Sequence, residues 1–136
     1  MINPEVLIKK LKLVPHPEGG YFSESFRDKK GNVSLIYYLL KKNEVSQWHR
    51  LKKNEILHFY DGDPIKIYLS KDKKEVSHIV LGRDLESRQY FHYVVESETW
   101  FGMKSTGDWS FIGCTVSPAF SYEDFELASK EWKIEN

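Results

Sequence analysis

The feature that most constrains this chain is a rhythm. From Tyr21 onward, apolar and aromatic runs with two-residue alternation are separated by short turn clusters: YFSESFR before DKKGN, VSLIYYLL before KKNE, VSQWHRL before KKN, EILHFY before DGDP, IKIYLS before KDKK, then EVSHIVLG. Further strands are predicted at RQYFHYVV, ETWFGMK and WSFIGCTV. Turn signals about 8–12 residues apart specify an antiparallel sandwich or barrel rather than alternating β and α units. Composition agrees, with aromatic residues at 15% and helix-favouring Ala nearly absent.

Helices are predicted only at the two ends. Asn3 can cap, Pro4 suits the first helical position, and Val6, Leu7, Ile8 and Leu11 form an apolar face that can pack on the outside of a sheet. The tail SYEDFELASKEW predicts a second short helix, acidic near its start. Between the first helix and the first long strand lies PHPEGG, residues 15–20, whose prolines and glycines exclude regular structure and specify a shaped loop.

The 136 residues fit one domain spanning 1–136. Twenty Lys and Arg balance twenty Asp and Glu, which leaves no global field to gather nucleic acid or an acidic membrane. The single cysteine, Cys114, cannot close an internal disulfide, the N-terminus lacks the apolar core of a secretory signal, and no apolar run is long enough to span a bilayer. A cytoplasmic protein is expected.

The candidate chemistry is concentrated in QWHRLKKNEILHFYDGDP, residues 47–64. Strand alternation puts Gln47 and His49 on one side and Trp48 and Arg50 on the other, and separates Glu55, Leu57 and Phe59 from Ile56, His58 and Tyr60. His49 and Glu55 can therefore share an interior only if His58 points outward. An interior imidazole can act as a general base, and a carboxylate beside it can orient the ring or bind a ligand hydroxyl. A buried carboxyl must find a partner or hold a proton. His78 and His92 stand isolated. His16 and Glu18, on the stiff PHPEGG loop, are candidate substrate contacts. Most aromatic residues must fill the core, with Tyr21, Tyr37 and Trp100 expected nearest the pocket and Tyr37 positioned to return a proton to product.

These residues resemble a family. Cupins carry a first motif G-x5-H-x-H-x3-4-E-x6-G; here Glu55 is followed after six residues by Gly62, and His49 stands where the first histidine belongs, while Leu51 replaces the second. In the second motif, P-x-G-x2-H-x3-N, Glu96 and Glu98 replace proline and glycine, and Phe101 replaces the histidine. The segments PHPEGGYFSES, SLIYYLL, NEILHFYDGDP, LGRDL, VVESETWFG and GCTVSPAFSYEDFE are similar, in order, to the fifth cupin family of small proteins.

The resemblance implies an all-β, double-stranded β-helix or jelly roll, of the kind shared with deoxysugar epimerases and isomerases, with short N- and C-terminal helices and a homodimeric assembly. It also implies that two of the four usual metal ligands are gone. No cofactor is then required, and His49 with Glu55 would hold a divalent ion only weakly. The expected function is binding of a small polar, sugar-like or nucleotide-sugar-like ligand, with metal-independent epimerase or isomerase chemistry. The alternatives are a non-catalytic metabolite sensor or a small metal enzyme.

Overall fold

The computed structural model describes residues 2–134. In chain order it contains α1 (Pro4–Leu11), β1 (Val14–Pro15), β2 (Tyr21–Arg27), β3 (Ser34–Lys41), β4 (Ser46–Leu51), β5 (Asn54–Gly62), β6 (Ile65–Ser70), β7 (Ser77–Leu81), β8 (His92–Val95), β9 (Trp100–Ser105), β10 (Trp109–Ser117) and β11 (Phe125–Leu127). Single 3-10 turns lie at Leu85–Ser87 and Tyr122–Asp124. The strands form two antiparallel sheets, ordered β1-β2-β3-β10-β5-β8 and β11-β4-β9-β6-β7. The second sheet draws its strands from distant parts of the chain, as a jelly roll requires.

The interior is built by alternation. Leu40, Leu57, Ile65, Ile67, Leu81, Phe101, Met103 and Ile112 are at most 1% exposed and pack in one cluster between the sheets. Burying one such side chain contributes roughly 1.5–3 kcal/mol, so this cluster is the main source of cohesion.

Helix α1 follows its sequence signals. The Asn3 side chain accepts from the Val6 amide at 2.9 Å, Pro4 opens the first turn, and Lys12 ends the helix in the left-handed region at φ 55°. Leu7, Ile8 and Leu11 then cover Leu39, Phe111, Tyr21 and Tyr37 on the outer face of the six-stranded sheet. Both faces of β3 are consequently apolar, with Tyr38 and Leu40 inside and Tyr37 and Leu39 under the helix.

The expected C-terminal helix is absent. Instead Phe125, Glu126 and Leu127 pair with Leu51, Arg50 and His49, adding an edge strand to β4. The unpaired backbone groups of an open edge outweigh weak helical preference in so short a segment. The chain then crosses the outer face of the five-stranded sheet, where Trp132 stacks on Trp48 at 4.1 Å and meets Trp100 edge-on at 5.7 Å.

On the outer face of the other sheet, His58 and His92 are directly opposed, and the Phe59 amide donates to the Phe91 carbonyl at 2.7 Å. That pattern marks a non-hydrogen-bonded pair, whose side chains approach closely; the two rings lie 6.2 Å apart. His58 does point outward.

Candidate functional site

A cavity of about 250 Å³ lies between the sheets at the end where β3, β5 and β10 carry Ser34, Glu55 and Val116. It contains His16, Glu18, His49, Glu55 and Cys114, with Phe22, Ile36, Leu51, Val116, Phe120 and Phe125 as walls. A wider depression of about 530 Å³ opens beside β7 and β8, lined by residues such as Lys71, Asp72, Glu75 and Glu96. It is the larger hollow, but the buried titratable groups are in the smaller one, which is where chemistry can be concentrated.

The PHPEGG loop delivers two of those groups. Its backbone closes through His16 N–H to the Gly20 carbonyl at 2.9 Å and Gly19 N–H to the His16 carbonyl at 3.0 Å, and the Gln47 amide donates to the Glu18 carbonyl at 2.8 Å. Gly19 and Gly20 have φ of 109° and 76°, and a Cβ on Gly19 would run into the Val45 carbonyl. Only glycine permits this close approach to β4. The Tyr38 hydroxyl donates to the Gly19 carbonyl from inside the barrel.

His49 is 3% exposed and has a partner on each ring nitrogen. Nδ1 lies 2.6 Å from the Gln47 carbonyl, and a carbonyl only accepts, so Nδ1 carries a hydrogen. Nε2 lies 3.0 Å from Glu18 Oε2. Glu18 Oε1 accepts from the Ser46 hydroxyl at 3.0 Å. One proton must sit between imidazole and carboxyl. Burial raises the Glu18 pKa, against the opposing influence of His16, Ser46 and Tyr38, and burial lowers that of His49, against Glu55 and the Gln47 carbonyl. Both directions favour the neutral form, a carboxylic acid donating to Nε2, over a buried ion pair.

His16 accepts the Glu18 amide on Nδ1 at 3.0 Å, packs edge-on against Phe22 at 4.5 Å, and is held neutral chiefly by burial. Glu55, 8% exposed, is raised to about 7, first by burial and further by Glu18, while His49 and the Cys114 thiol hydrogen bond pull it down. Burial, then Glu55 and Glu18, push the Cys114 thiol well up, which makes it a hydrogen-bond donor rather than a nucleophile.

The mouth is made of paired charges and rings. Arg27 bonds Glu24 through Nε at 3.0 Å and Nη2 at 2.9 Å, and reaches the Phe120 carbonyl at 3.1 Å. Lys53 bonds the Ala119 carbonyl at 2.7 Å and Asp124 at 2.8 Å. These contacts pin the segment that brings Phe120, Tyr122 and Phe125 over the cavity.

Of the residues predicted from sequence, His16, Glu18, His49 and Glu55 converge. Tyr21, Tyr37 and Trp100 do not. Tyr21 and Tyr37 lie under α1, and Trp100 lies on the outer face of its sheet beneath Arg50 and Lys73, each 4.5 Å from its ring. Their neighbours Phe22, Tyr38 and Phe101 point inward instead: Phe22 opposes Tyr38 across the β2–β3 pair, and Phe101 opposes His49 across β4–β9. Tyr37 therefore has no route to a ligand in this cavity.

Glu55 is also not the residue that orients His49; the Gln47 carbonyl and Glu18 hold the ring. A register shift between Ser46 and His49 further alters the expected facing of β4, turning Ser46 inward and leaving Gln47 exposed. Ser46, Cys114, Phe22, Phe120 and Phe125 were not singled out by the sequence. Their signal lay in strand phase, which becomes readable once register is known.

A metal centre of the cupin kind does not fit these residues. Leu51 lines the cavity where a second histidine would stand, Nδ1 of His49 faces a carbonyl, and Nε2 faces Glu18. Among the described residues no three His, Cys, Asp or Glu side chains are placed to share an ion. Also among them, no helix is long and apolar enough to cross a membrane.

Solved structures share this fold. A protein from Shewanella oneidensis is 36% identical, with a TM-score of 0.91 over 96% of this chain and 87% of its own. A hypothetical protein from Leishmania major is 30% identical, with a TM-score of 0.85 over 96% of this chain and 90% of its own. Oxalate decarboxylase from Bacillus subtilis is 12% identical, with a TM-score of 0.65 over 83% of this chain and 29% of its own, and shares the fold alone. No curated protein matches the sequence. The fold is that of a cupin, a double-stranded β-helix protein. The chain belongs to the family described as Cupin superfamily (DUF985), whose model matches residues 5–128.

Proposed function

We propose that this cupin binds a small hydroxycarbonyl compound and moves a proton on it without a metal, as an epimerase or isomerase does. The observation that carries the reading is the buried carboxyl of Glu55 in the same cavity as the buried His49–Glu18 pair joined at 3.0 Å, where burial raises the Glu55 pKa to about 7. A carboxyl that titrates near neutrality can both take and return a proton. In the proposed reaction the Glu55 carboxylate removes the hydrogen on the carbon next to the carbonyl. The electron pair moves to the carbonyl oxygen, which receives the proton shared by Glu18 and His49. Glu55 then returns its proton to the former carbonyl carbon while the neighbouring hydroxyl gives its proton back to the Glu18–His49 pair, which yields the isomer and leaves each residue in its starting form.

Size and charge support a ligand no larger than a monosaccharide over a nucleotide sugar. The cavity is about 250 Å³, and its acidic lining is Glu18, Glu24 and Glu55 against one guanidinium, Arg27, which Glu24 already neutralises. A diphosphate would meet no free cation there.

The test is deuterium wash-in: proton NMR of a panel of small aldoses, ketoses and hydroxyketones in deuterated buffer with the wild-type protein and Glu55→Gln. Loss of a carbon-bound hydrogen signal with wild type, abolished in the variant, is expected. Exchange that survives Glu55→Gln overturns the role of Glu55. Binding without exchange favours the sensor reading.

We also propose a symmetric homodimer through the β8 edge. Tyr60, Phe91 and Val94 are 45%, 51% and 46% exposed around a strand with one unpaired edge. Light scattering that gives a monomer mass at micromolar concentration would refute it.

A further inference from the structure

We infer that the ligand carries a flat apolar ring above its reacting end, held at the cavity mouth by Phe22, Phe120, Tyr122 and Phe125, and bears no anionic tail. The inference rests on the site proposed above and specifies its substrate class.

The hydrogen-bonding groups Glu18, His49, Glu55 and His16 gather together, Arg27 and Glu24 at the mouth bond each other, Ser34 and Ser121 accept from backbone amides, and the rest of the wall is largely Phe22, Ile36, Leu51, Val116, Phe120 and Phe125. None of these six side chains can donate or accept a hydrogen bond. A ligand with a hydroxyl on every carbon would bury several of them against hydrocarbon with no partner. A ring with polar atoms at one edge would leave none unpaired.

The rings at the mouth are arranged to receive another. Phe120 lies edge-on to Tyr122 at 4.8 Å and to Phe125 at 6.0 Å, and Tyr122 and Phe125 are 6.0 Å apart. Phe125 also stacks beside His49 at 5.6 Å, so the aromatic surface runs continuously from the mouth to the polar end. Tyr122 is 58% exposed, leaving much of its ring uncovered. An added ring in offset or edge-on contact fits such a cluster.

Charge excludes an anionic tail. Arg27 is the cation of the lining, and Glu24 and the Phe120 carbonyl occupy it. Lys53, just outside, is taken by Asp124 and the Ala119 carbonyl. A phosphate or carboxylate at the mouth would have to break one of these bonds while facing Glu24.

Isothermal titration with three probes at neutral pH tests this: 4-hydroxyacetophenone, an uncharged ring with a polar edge; D-glucose, a polyol of similar size; and phenyl phosphate, a ring with an anionic group. The expected order is 4-hydroxyacetophenone tightest, by about ten-fold over either other probe, the factor one good aromatic contact supplies. Tyr122→Ala, an exposed position, should remove most of that preference. Phe120→Leu, which keeps the wall apolar, should do the same. Glucose binding as tightly as the ring, phenyl phosphate binding best, or no measurable binding of 4-hydroxyacetophenone at millimolar concentration each overturns the inference. The outcomes separate from those of the proton chemistry. Exchange on a polyol that binds without ring preference sinks the ring alone, whereas ring binding with no dependence of any exchange on Glu55 sinks the chemistry alone.

Discussion

The two halves of the barrel interior share strands β3, β5 and β10 and differ in their chemistry. Along β5, Glu55 stands at one end and Leu57, two residues on, belongs to a cluster with no unsatisfied polar group. Along β3 the interior passes from Ser34 and Ile36 to Tyr38 and Leu40. One half gathers stability from hydrocarbon; the other holds two carboxyls and two imidazoles away from their ordinary pKa values at a cost to stability. A fold can carry such a site because the opposite half over-stabilises the same sheets.

The largest effect should come from the apolar half. Ile67→Ala, at a position that is 0% exposed, is expected to lower the unfolding free energy by about 2–5 kcal/mol in urea titrations, with deuterium exchange retained below the transition. Equal loss of exchange under native conditions would mean the halves are not separable.

Next comes Glu55→Gln, which should stabilise. The folded protein holds the Glu55 proton more tightly than the unfolded chain, since the value rises from 4.5 to about 7. Its penalty is absent below the unfolded value, grows as pH climbs between those two values, and is constant above. The variant should therefore match wild type at pH near 4 and exceed it at pH near 8 by on the order of 3 kcal/mol, read from chemical denaturation at both. A difference that does not change with pH would place Glu55 in water.

Ser46→Ala should cost about 1 kcal/mol by removing the donor to Glu18 Oε1. Because that bond favours the charged carboxyl, its loss should move Glu18 still further up, seen by carbon NMR of the labelled carboxyl. Asn3→Ala, on the outer helix, should cost about 0.5–1 kcal/mol by thermal melting and leave ligand binding untouched.

The strand rhythm was legible because turns are local. Phase was harder. Tyr37 and Tyr38 are both apolar neighbours in LIYYLL, and with α1 covering one face and the interior the other, alternation loses its polar half. The same blindness shifted Tyr21 for Phe22. At Trp100 and Phe101 the cause is the tail, whose Trp132 covers the outer face. His49 and Glu55 were readable from a short span, but the partner of His49 is Glu18, brought to β4 by a loop whose contacts no local pattern encodes. The C-terminal segment failed as a helix for a similar reason: its decisive partner, the edge of β4, lies more than seventy positions earlier.

Strand β11 couples two properties that are usually separate. By pairing with β4 it caps an open row of backbone amides and carbonyls, and the residues leading into it roof the cavity. Trimming the chain before this strand would thus unroof the cavity and, in the same stroke, leave an adhesive border for other molecules to join. Edge protection and closure of the cavity are inherited together through one short ribbon.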